Sequence, residues 1–276
     1  MMITVRPISG AIGAEISGVD LSRLSDELVR EIRAAWLEHL VVFFREQPLS
    51  KADFLAFAEA IGEPARYPFL PSIDEFPEII EVKKLESETA NFGGIWHSDT
   101  VYLDEPPMAS MLLAWEVPPF GGDTEWANMY AAYEALSDNL KAFLGSLNAV
   151  HSSALADVSK TREDRIAETG DETIADQVFE SVHPVVRTHP ETGRKALYVN
   201  VAHTLKFEGM TQAESRPLLE YLFTHQTRAE FTCRFRWEVG SIALWDNRCA
   251  MHNPINDYHG YRRVMHRITL RGDVPE

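Results

Sequence analysis

The sequence has little cysteine, no excess of basic residues and no long apolar run. Cys233 and Cys249 are the only cysteines among 276 residues. Their spacing fits neither a zinc site nor a redox motif, so we predict two buried thiols in a reducing compartment. No run of about 18 apolar residues occurs, and the amino end lacks a basic segment followed by an apolar one. We therefore expect a cytoplasmic protein.

Acidic residues outnumber basic ones, 42 to 26, which gives a net charge of -16. This charge disfavours nucleic acids and anionic membranes as partners, because both attract basic surfaces. Apolar residues make up 45% of the chain and aromatic residues 10%, enough for a sizeable core. No repeat and no linker is visible, so we expect a single domain over residues 1–276. We also expect a small molecule as its binding partner and a homo-oligomer as its assembly.

Four segments carry apolar residues at helical spacing, and three of them follow a serine or threonine that can cap a helix. They are Ser25 to His39, Ser50 to Gly62, Tyr130 to Leu144 and Thr211 to Gln226.

Other segments read as strands, most of them in the carboxyl third. They are Val41–Phe44, Glu78–Val82, Phe231–Trp237, Ser241–Trp245 and Tyr261–Leu270. Short strands joined by turns are typical of a sandwich or barrel. Helices around a mainly antiparallel sheet make the expected fold α+β. Residues 155–181 are polar, and we consider either a solvated helical insertion or a lid over a site.

One short motif, His97-Ser98-Asp99, has the residue types of a metal site. A histidine followed two places later by an acid is not rare, and with ten histidines about one or two examples are expected by chance. The second example, His189-Pro190-Glu191, lies in a Pro- and Gly-containing segment between apolar runs. We predict that this second example is a solvated hairpin turn.

His97 instead follows a glycine-bearing loop and precedes the β-prone run Thr100 to Leu103. In an extended segment residues i and i+2 point to the same side, so His97 and Asp99 can grip one ion while Ser98 points away. His252 follows an apolar strand and a polar turn. Two imidazoles and one carboxylate suit one face of a ferrous ion and leave positions open.

Two arginines accompany this set. Arg263 and Arg267 lie four apart in a strand pattern, so they share a face and stand roughly 13 Å apart. Guanidinium groups bind carboxylates in bidentate geometry, so the pair offers two anion sites. Arg262 and His266 belong to the opposite face, where we expect exposure or packing against a second layer.

These motifs, in this order, resemble the taurine dioxygenase family of iron(II)- and 2-oxoglutarate-dependent oxygenases. The resemblance extends from Gly10 to Asp273. The motifs that carry it are His97-Ser98-Asp99, Gly121-Gly122-Asp123-Thr124, Trp245-Asp246-Asn247-Arg248, His252 and Arg263-Val264-Met265-His266-Arg267.

The resemblance implies a double-stranded β-helix, or jelly roll, with surrounding helices. It implies that His97, Asp99 and His252 bind Fe(II), and that Thr124 and Arg263 bind the distal carboxylate of 2-oxoglutarate. Arg267 matches the position that binds the substrate's anionic group, and Trp245 matches an aromatic residue near the metal. The implied activity uses O2, releases succinate and carbon dioxide, and hydroxylates a small anionic substrate without a protein base or nucleophile.

The sequence departs from the taurine enzymes around the substrate. A glycine of the segment 91–95 stands where those enzymes supply an asparagine amide, and Tyr67 and Leu70 lie nearest the positions of their other polar contacts. We expect a less polar pocket, which disfavours taurine because unpaired polar groups are costly. Alkyl sulfates, alkylsulfonates and aryloxyalkanoic acids remain candidate substrates.

Three alternatives follow from the residues alone. A zinc hydrolase also uses two histidines and a carboxylate, but it leaves Thr124 and the paired arginines unexplained. A non-catalytic β-barrel would bind a ligand without forming succinate. Cys249 lies three residues before His252, but no third group completes a thiol nucleophile with a histidine base.

Overall fold

The computed structural model describes residues 3–67, 72–91, 93–155 and 178–276. Within these residues there are five α-helices and two short 3-10 helices, Ser153–Leu155 and Ala229–Phe231. The α-helices are α1 (Asp26–His39), α2 (Lys51–Ile61), α3 (Met129–Glu134), α4 (Asp138–Leu144) and α5 (Gln212–Gln226).

Local capping fixes where the helices begin. The Ser25 side chain accepts a hydrogen bond from the Leu28 N–H at 3.2 Å at the start of α1. Ser50 opens α2 and Thr211 opens α5, each with a capping box. These three predictions are confirmed. The helical pattern at 130–144 is instead split into α3 and α4, because the Ser137 side chain accepts from the Leu140 N–H and starts a new helix.

Seventeen strands lie in the described part of the chain. They are β1 (Thr4–Pro7), β2 (Ala14–Ser17), β3 (Val41–Phe44), β4 (Pro64–Ala65), β5 (Ser72–Ile73), β6 (Phe76–Lys84), β7 (Ala109–Glu116), β8 (Thr124–Asn128), β9 (Asn148–Ser152), β10 (Glu180–Pro184), β11 (Val186–Thr188), β12 (Lys195–Leu197), β13 (Thr204–Phe207), β14 (Thr232–Phe235), β15 (Ile242–Asp246), β16 (Ala250–Pro254) and β17 (Arg263–Leu270).

The strands form one large sheet and several small ones. The large sheet has the order β1-β2-β3-β15-β7-β17-β6-β5, with β4 also paired to β17. A second sheet has the order β14-β8-β16, and two others are β10-β9-β13 and β11-β12. Every described pairing is antiparallel except β2 with β3. The expected mainly antiparallel α+β arrangement is therefore confirmed.

The large sheet is buried on both faces. On β3, Val42 and Phe44 pack with α1 and α2, whereas Val41 and Phe43 pack with residues of the small sheet β14-β8-β16. Strand residues alternate between faces, so this register gives the large sheet a helical layer on one side and a β layer on the other. The inner face, between the two sheets, carries the candidate site.

One prediction about the chain near the candidate metal ligands was wrong. The run after Asp99 is a turn rather than a strand, because Thr100 has φ +41° and turns the chain in the left-handed region. His252 follows strand β15 and a turn, as predicted, and it lies within a further strand, β16, that was not predicted. This strand was missed because its apolar residues are few and its partner β8 is distant in sequence.

The segment around His189 forms the predicted hairpin between β11 and β12, and its turn residues Pro190, Glu191, Gly193 and Arg194 are exposed, but His189 itself is buried. His189 is 1% exposed, and its Nε2 donates to Asp246 Oδ2 at 3.1 Å. The Asp246 carboxylate also accepts two hydrogen bonds from Arg248, at 2.8 and 2.7 Å.

The predicted lid at 155–181 falls mostly on residues 156–177, which lie outside the described residues. None of the described helices is long and apolar enough to cross a membrane.

Candidate metal and anion site

Backbone pairing brings His97 next to His252. The His97 N–H donates to the His252 carbonyl at 3.0 Å, and the His252 N–H donates to the His97 carbonyl at 2.8 Å. The Ser98 hydroxyl donates to the Ala250 carbonyl at 3.0 Å, which holds Ser98 away from the site. Asp99 Oδ1 then lies 3.7 Å from His97 Nε2 and 4.0 Å from His252 Nε2. Three ligand atoms of the types that bind divalent transition metals converge.

Hydrogen bonds leave the correct atoms of this set available for a metal. His97 Nδ1 lies 2.6 Å from the Ile95 carbonyl, so Nδ1 carries the proton and Nε2 keeps its lone pair. Asp99 Oδ2 accepts from the Ser110 hydroxyl at 2.6 Å and pairs with Arg267 Nη2 at 2.7 Å. Asp99 Oδ1 therefore faces the histidines. Supporting contacts of this kind orient metal ligands in proteins.

The electrostatics hold all three groups in the form that binds a metal. Burial lowers the pKa of His97, and burial lowers the pKa of His252 well below its ordinary value. Burial alone would raise the pKa of Asp99, but Arg267 and then His252 and His97 outweigh it and hold that pKa well below the usual range. Neutral imidazoles and an ionised carboxylate are what metal binding requires.

Gly93 lies against the metal-facing edge of His97. Its φ is +69°, and a Cβ at this position would stand 2.9 Å from His97 Cε1 and 3.3 Å from Nε2. Both the backbone conformation and the close approach favour glycine. The space beside His97 Nε2 is therefore kept open for a metal ion that this nitrogen could bind.

Arg263 lies at one end of the site and forms no ion pair within the described residues, although the charge of Asp123 acts on it from a distance. It is 6% exposed, and its Nε and Nη2 have no hydrogen-bond partner within the described residues. Burial lowers the pKa of Arg263, although a guanidinium keeps its charge in proteins. Thr124 is buried at the same end, and its hydroxyl accepts from Trp237 Nε1 at 3.0 Å. An unpaired buried guanidinium beside a hydroxyl suits a carboxylate.

Arg267 lies at the other end and is already paired with Asp99. Its guanidinium carbon stands 5.1 Å from the centre of the Tyr67 ring, within range of a cation–π interaction. Tyr67 therefore lies beside the arginine that the sequence assigned to the substrate. Leu70, the other predicted substrate residue, lies outside the described residues.

Arg263 and Arg267 open onto one pocket, so the predicted shared face is confirmed. Trp245 lines the same pocket, with its ring 4.8 Å from that of His252. The lining residues are Val82, His97, Leu112, Thr124, Trp245, His252, Pro254, Arg263 and Arg267.

The two residues predicted to face away from the site, one just before β17 and one within it, also match expectation. Arg262 is exposed and lies 3.4 Å from Glu86, and His266 is buried and stacks on Trp115 with ring centres 4.6 Å apart. Neither residue lines the pocket.

Sequence reasoning missed two residues that support the site, Ser110 and Trp237. Ser110 is a single hydroxyl in the otherwise apolar first half of β7, a weak signal that its side chain has a buried partner. Trp237 only continued the alternating pattern of Phe231 to Trp237, which gave no sign that its indole reaches Thr124.

Both cysteines are buried and free, as predicted. Burial raises the pKa of Cys249 well above its ordinary value, and burial raises the pKa of Cys233 to about 12. Neither thiol is activated as a nucleophile, which disfavours cysteine catalysis.

A family model described as "Taurine catabolism dioxygenase TauD, TfdA family" matches residues 4–269. An alpha-ketoglutarate-dependent sulfate ester dioxygenase of Pseudomonas putida is 38% identical over 278 residues, covering 99% of this chain and 91% of that protein. An alkylsulfatase of Acinetobacter baylyi is 39% identical over 277 residues, covering 99% of this chain and 86% of that protein.

Among solved structures, a taurine dioxygenase from Burkholderia xenovorans superimposes with a TM-score of 0.83 at 40% identity. The match covers 99% of this chain and 90% of that one. The fold thus has a counterpart over nearly the whole length of this chain.

Proposed function

The chain belongs to the TauD/TfdA family of 2-oxoglutarate-dependent dioxygenases, and we propose that it oxidises an alkyl sulfate ester. The observation that carries the proposal is one pocket lined by both histidines of the His-Asp-His set and by two buried arginines. A zinc hydrolase has no need of the second anion site. A binding protein has no need of converging metal ligands.

His97, Asp99 and His252 would hold Fe(II), since two imidazoles and one carboxylate leave open positions on an octahedral ferrous ion. Thr124 and Arg263 would hold the distal carboxylate of 2-oxoglutarate, because Arg263 has N–H donors without a partner among the described residues. Bound iron and 2-oxoglutarate supply the oxidising chemistry with O2. The protein binds, orients and excludes water.

Arg267 would bind the sulfate group of the substrate. Its buried guanidinium can form paired hydrogen bonds to an oxyanion, and the Tyr67 ring covers it. Val82, Leu112 and Pro254 add apolar surface to the same pocket. A substrate with an anionic head and an apolar body fits this combination better than taurine, which carries a charged amine.

Hydroxylation at the carbon next to the ester oxygen accounts for cleavage without a protein nucleophile. The hydroxylated ester is a hemiacetal sulfate, which releases an aldehyde as its C–O bond to sulfate breaks. One O2 and one 2-oxoglutarate are consumed, and one succinate and one carbon dioxide are formed. The products from the substrate are the aldehyde, sulfate and a proton.

The proposal is tested first by adding Fe(II) and 2-oxoglutarate to the protein without oxygen and recording the visible absorption of the chelate. Hexyl sulfate, hexanesulfonate, an aryloxyacetate and hexanol are then compared for oxygen-dependent succinate formation. We expect the chelate band and the highest kcat/KM with hexyl sulfate, and no substrate-dependent succinate with hexanol because it lacks the anion.

Absence of the chelate band from folded protein would overturn the metal and co-substrate assignment. A strong preference for the sulfonate or the aryloxyacetate would overturn only the substrate class. Activity that needs zinc and persists without oxygen would instead support the hydrolase.

Further expectations belong to the same proposal. We propose a jelly-roll core within one domain of residues 1–276, supported by the two sheets that share a core. We also propose a cytoplasmic homo-oligomer. Light scattering of the purified protein at several concentrations tests the assembly, and a monomer mass throughout would contradict it.

A further inference from the structure

Trp237 connects the two residues at the co-substrate end of the pocket. Its indole Nε1 lies 3.0 Å from Thr124 Oγ1, and the Arg263 guanidinium carbon lies 5.7 Å from the centre of its ring. Trp237 is 4% exposed and Thr124 is 1% exposed, so water does not compete for this hydrogen bond.

The chemistry of the hydrogen bond fixes its direction. An indole N–H only donates, whereas a hydroxyl has one hydrogen to donate and two lone pairs that accept. The Thr124 hydroxyl therefore accepts a hydrogen bond from the Trp237 indole N–H, and this bond occupies one lone pair of the hydroxyl oxygen. Its own hydrogen is donated to no other group in the described part of the chain, and that hydrogen is left for a ligand.

Thr124 and Arg263, the described residues that line this end of the pocket, both offer donors to a ligand, and the unpartnered acceptor nearby, Asp123 Oδ1, is not among the lining residues. The Thr124 hydroxyl is set as a donor, and Arg263 Nε and Nη2 are donors without partners among the described residues. Such an arrangement selects a ligand group that only accepts, which is the property of an ionised carboxylate.

We propose that Trp237 is a positioning residue for 2-oxoglutarate: its indole N–H fixes the Thr124 hydroxyl as a donor, and its ring supports the Arg263 guanidinium. This inference rests on the proposed function, because it assumes that 2-oxoglutarate occupies this end. Trp237 itself does not touch the reacting atoms. It acts by reducing the number of orientations that the binding donors adopt before the ligand arrives.

The test is the substitution Trp237→Phe, which keeps an aromatic ring and removes the N–H. The dissociation constant of 2-oxoglutarate is measured by anaerobic titration of the chelate band with Fe(II) present. We expect it to rise roughly three- to tenfold, the range for loss of one neutral hydrogen bond. The KM for 2-oxoglutarate should rise in parallel, with kcat at saturation and the KM for the sulfate ester unchanged.

Trp126→Phe is a matched control. Trp126 is 0% exposed, lies two residues after Thr124 on β8, and its Nε1 has no hydrogen-bond partner among the described residues. The substitution removes the same atoms from the same core, so it should lower thermal stability without changing 2-oxoglutarate affinity by more than about twofold.

Thr124→Val supplies the second half of a double-mutant cycle. With the hydroxyl gone, adding Trp237→Phe should cost little further affinity. If Trp237→Phe does not fold, Trp237→His is compared with Trp237→Leu, and the variant that retains a ring N–H should bind 2-oxoglutarate at least threefold more tightly.

Three results would overturn the inference: unchanged affinity in Trp237→Phe, an equal loss in Trp126→Phe, or an equal loss from Trp237→Phe with and without the Thr124 hydroxyl. A wild-type protein that shows no chelate band would instead overturn the proposed function. The two failures are therefore distinguishable.

Discussion

Each end of the pocket contains a buried arginine, but only one of the two arginines has an ion-pair partner within the described residues. Arg263 and Arg267 lie on one face of β17, and both are nearly fully buried. Arg263 has two nitrogens without hydrogen-bond partners in the described residues, whereas Arg267 forms an ion pair with Asp99 at 2.7 Å and a hydrogen bond to Ser110 at 3.3 Å. A shared face of one strand therefore does not determine whether a buried arginine has an ion-pair partner.

The difference indicates that anion binding has a different consequence at each arginine. A buried cation without an ion-pair partner lowers the stability of the free protein, and an anionic ligand that pairs with it removes that cost. Arg267 already stabilises the free protein, because it neutralises the buried Asp99 carboxylate. An anion that binds at Arg267 must share the guanidinium with Asp99, so we expect its binding to change the charge environment of the proposed metal ligand directly.

The largest expected effect comes from closing the metal site between the two ends. In Gly93→Ala the new methyl group would stand 2.9 Å from His97 Cε1, beside the nitrogen that faces Asp99. We expect loss of Fe(II) binding, measured by equilibrium dialysis. Succinate formation should be lost with every substrate, because the reaction needs the metal whatever ligands are bound at Arg263 and Arg267.

Gly193→Ala controls for backbone strain. Gly193 has φ +67°, nearly the same as Gly93, but a Cβ there meets no atom within 4 Å. Normal Fe(II) binding in Gly193→Ala is expected. Equal loss of metal in both variants would show that strain, rather than contact with His97, is responsible.

The next effect separates the co-substrate end. Arg263→Met removes the unpaired guanidinium while keeping an apolar chain, and kcat/KM for 2-oxoglutarate should fall about 100-fold or more, as for loss of a buried charged partner. The dissociation constant of the sulfate ester, measured by calorimetry with the metal present, should change little. A larger loss for the ester than for 2-oxoglutarate would reverse the assignment of the two ends.

The third effect separates the substrate end. Arg267→Met should lower kcat/KM for hexyl sulfate roughly 10- to 100-fold, the range for loss of a charge-assisted hydrogen bond. Binding of 2-oxoglutarate by the chelate titration should weaken less than binding of the ester. Equal weakening of both would contradict the idea that Arg267 recognises the substrate.

The smallest effect sharpens the comparison without any ligand. In metal-free protein, Arg267→Met leaves the Asp99 carboxylate buried without its counter-charge, so the free energy of unfolding should fall by roughly 1–3 kcal/mol. Arg263→Met removes an unpaired buried charge, so that free energy should stay the same or rise. Urea unfolding at pH 7 measures both, and the opposite order would contradict the contrast.

Features that depend on neighbours in sequence were predictable. Ser25, Ser50 and Thr211 open helices at the predicted residues because each cap bonds to a backbone N–H within three residues. The strand Val41–Phe44 was predictable because it is short, apolar and β-branched or aromatic throughout. The turn after Asp99 was not, because the left-handed conformation of Thr100 opposes the preference of a β-branched residue.

The sequence by itself determined which residue types the site contains, because a motif of three residues and a strand period of two place His97 with Asp99 and Arg263 with Arg267. Only the tertiary structure decided which groups support them. Trp237 reaches Thr124 across 113 positions of the chain, and Arg267 reaches Ser110 across 157. Such contacts follow from the register and layering of the two sheets, so the pairing of one arginine and not the other is invisible in local sequence.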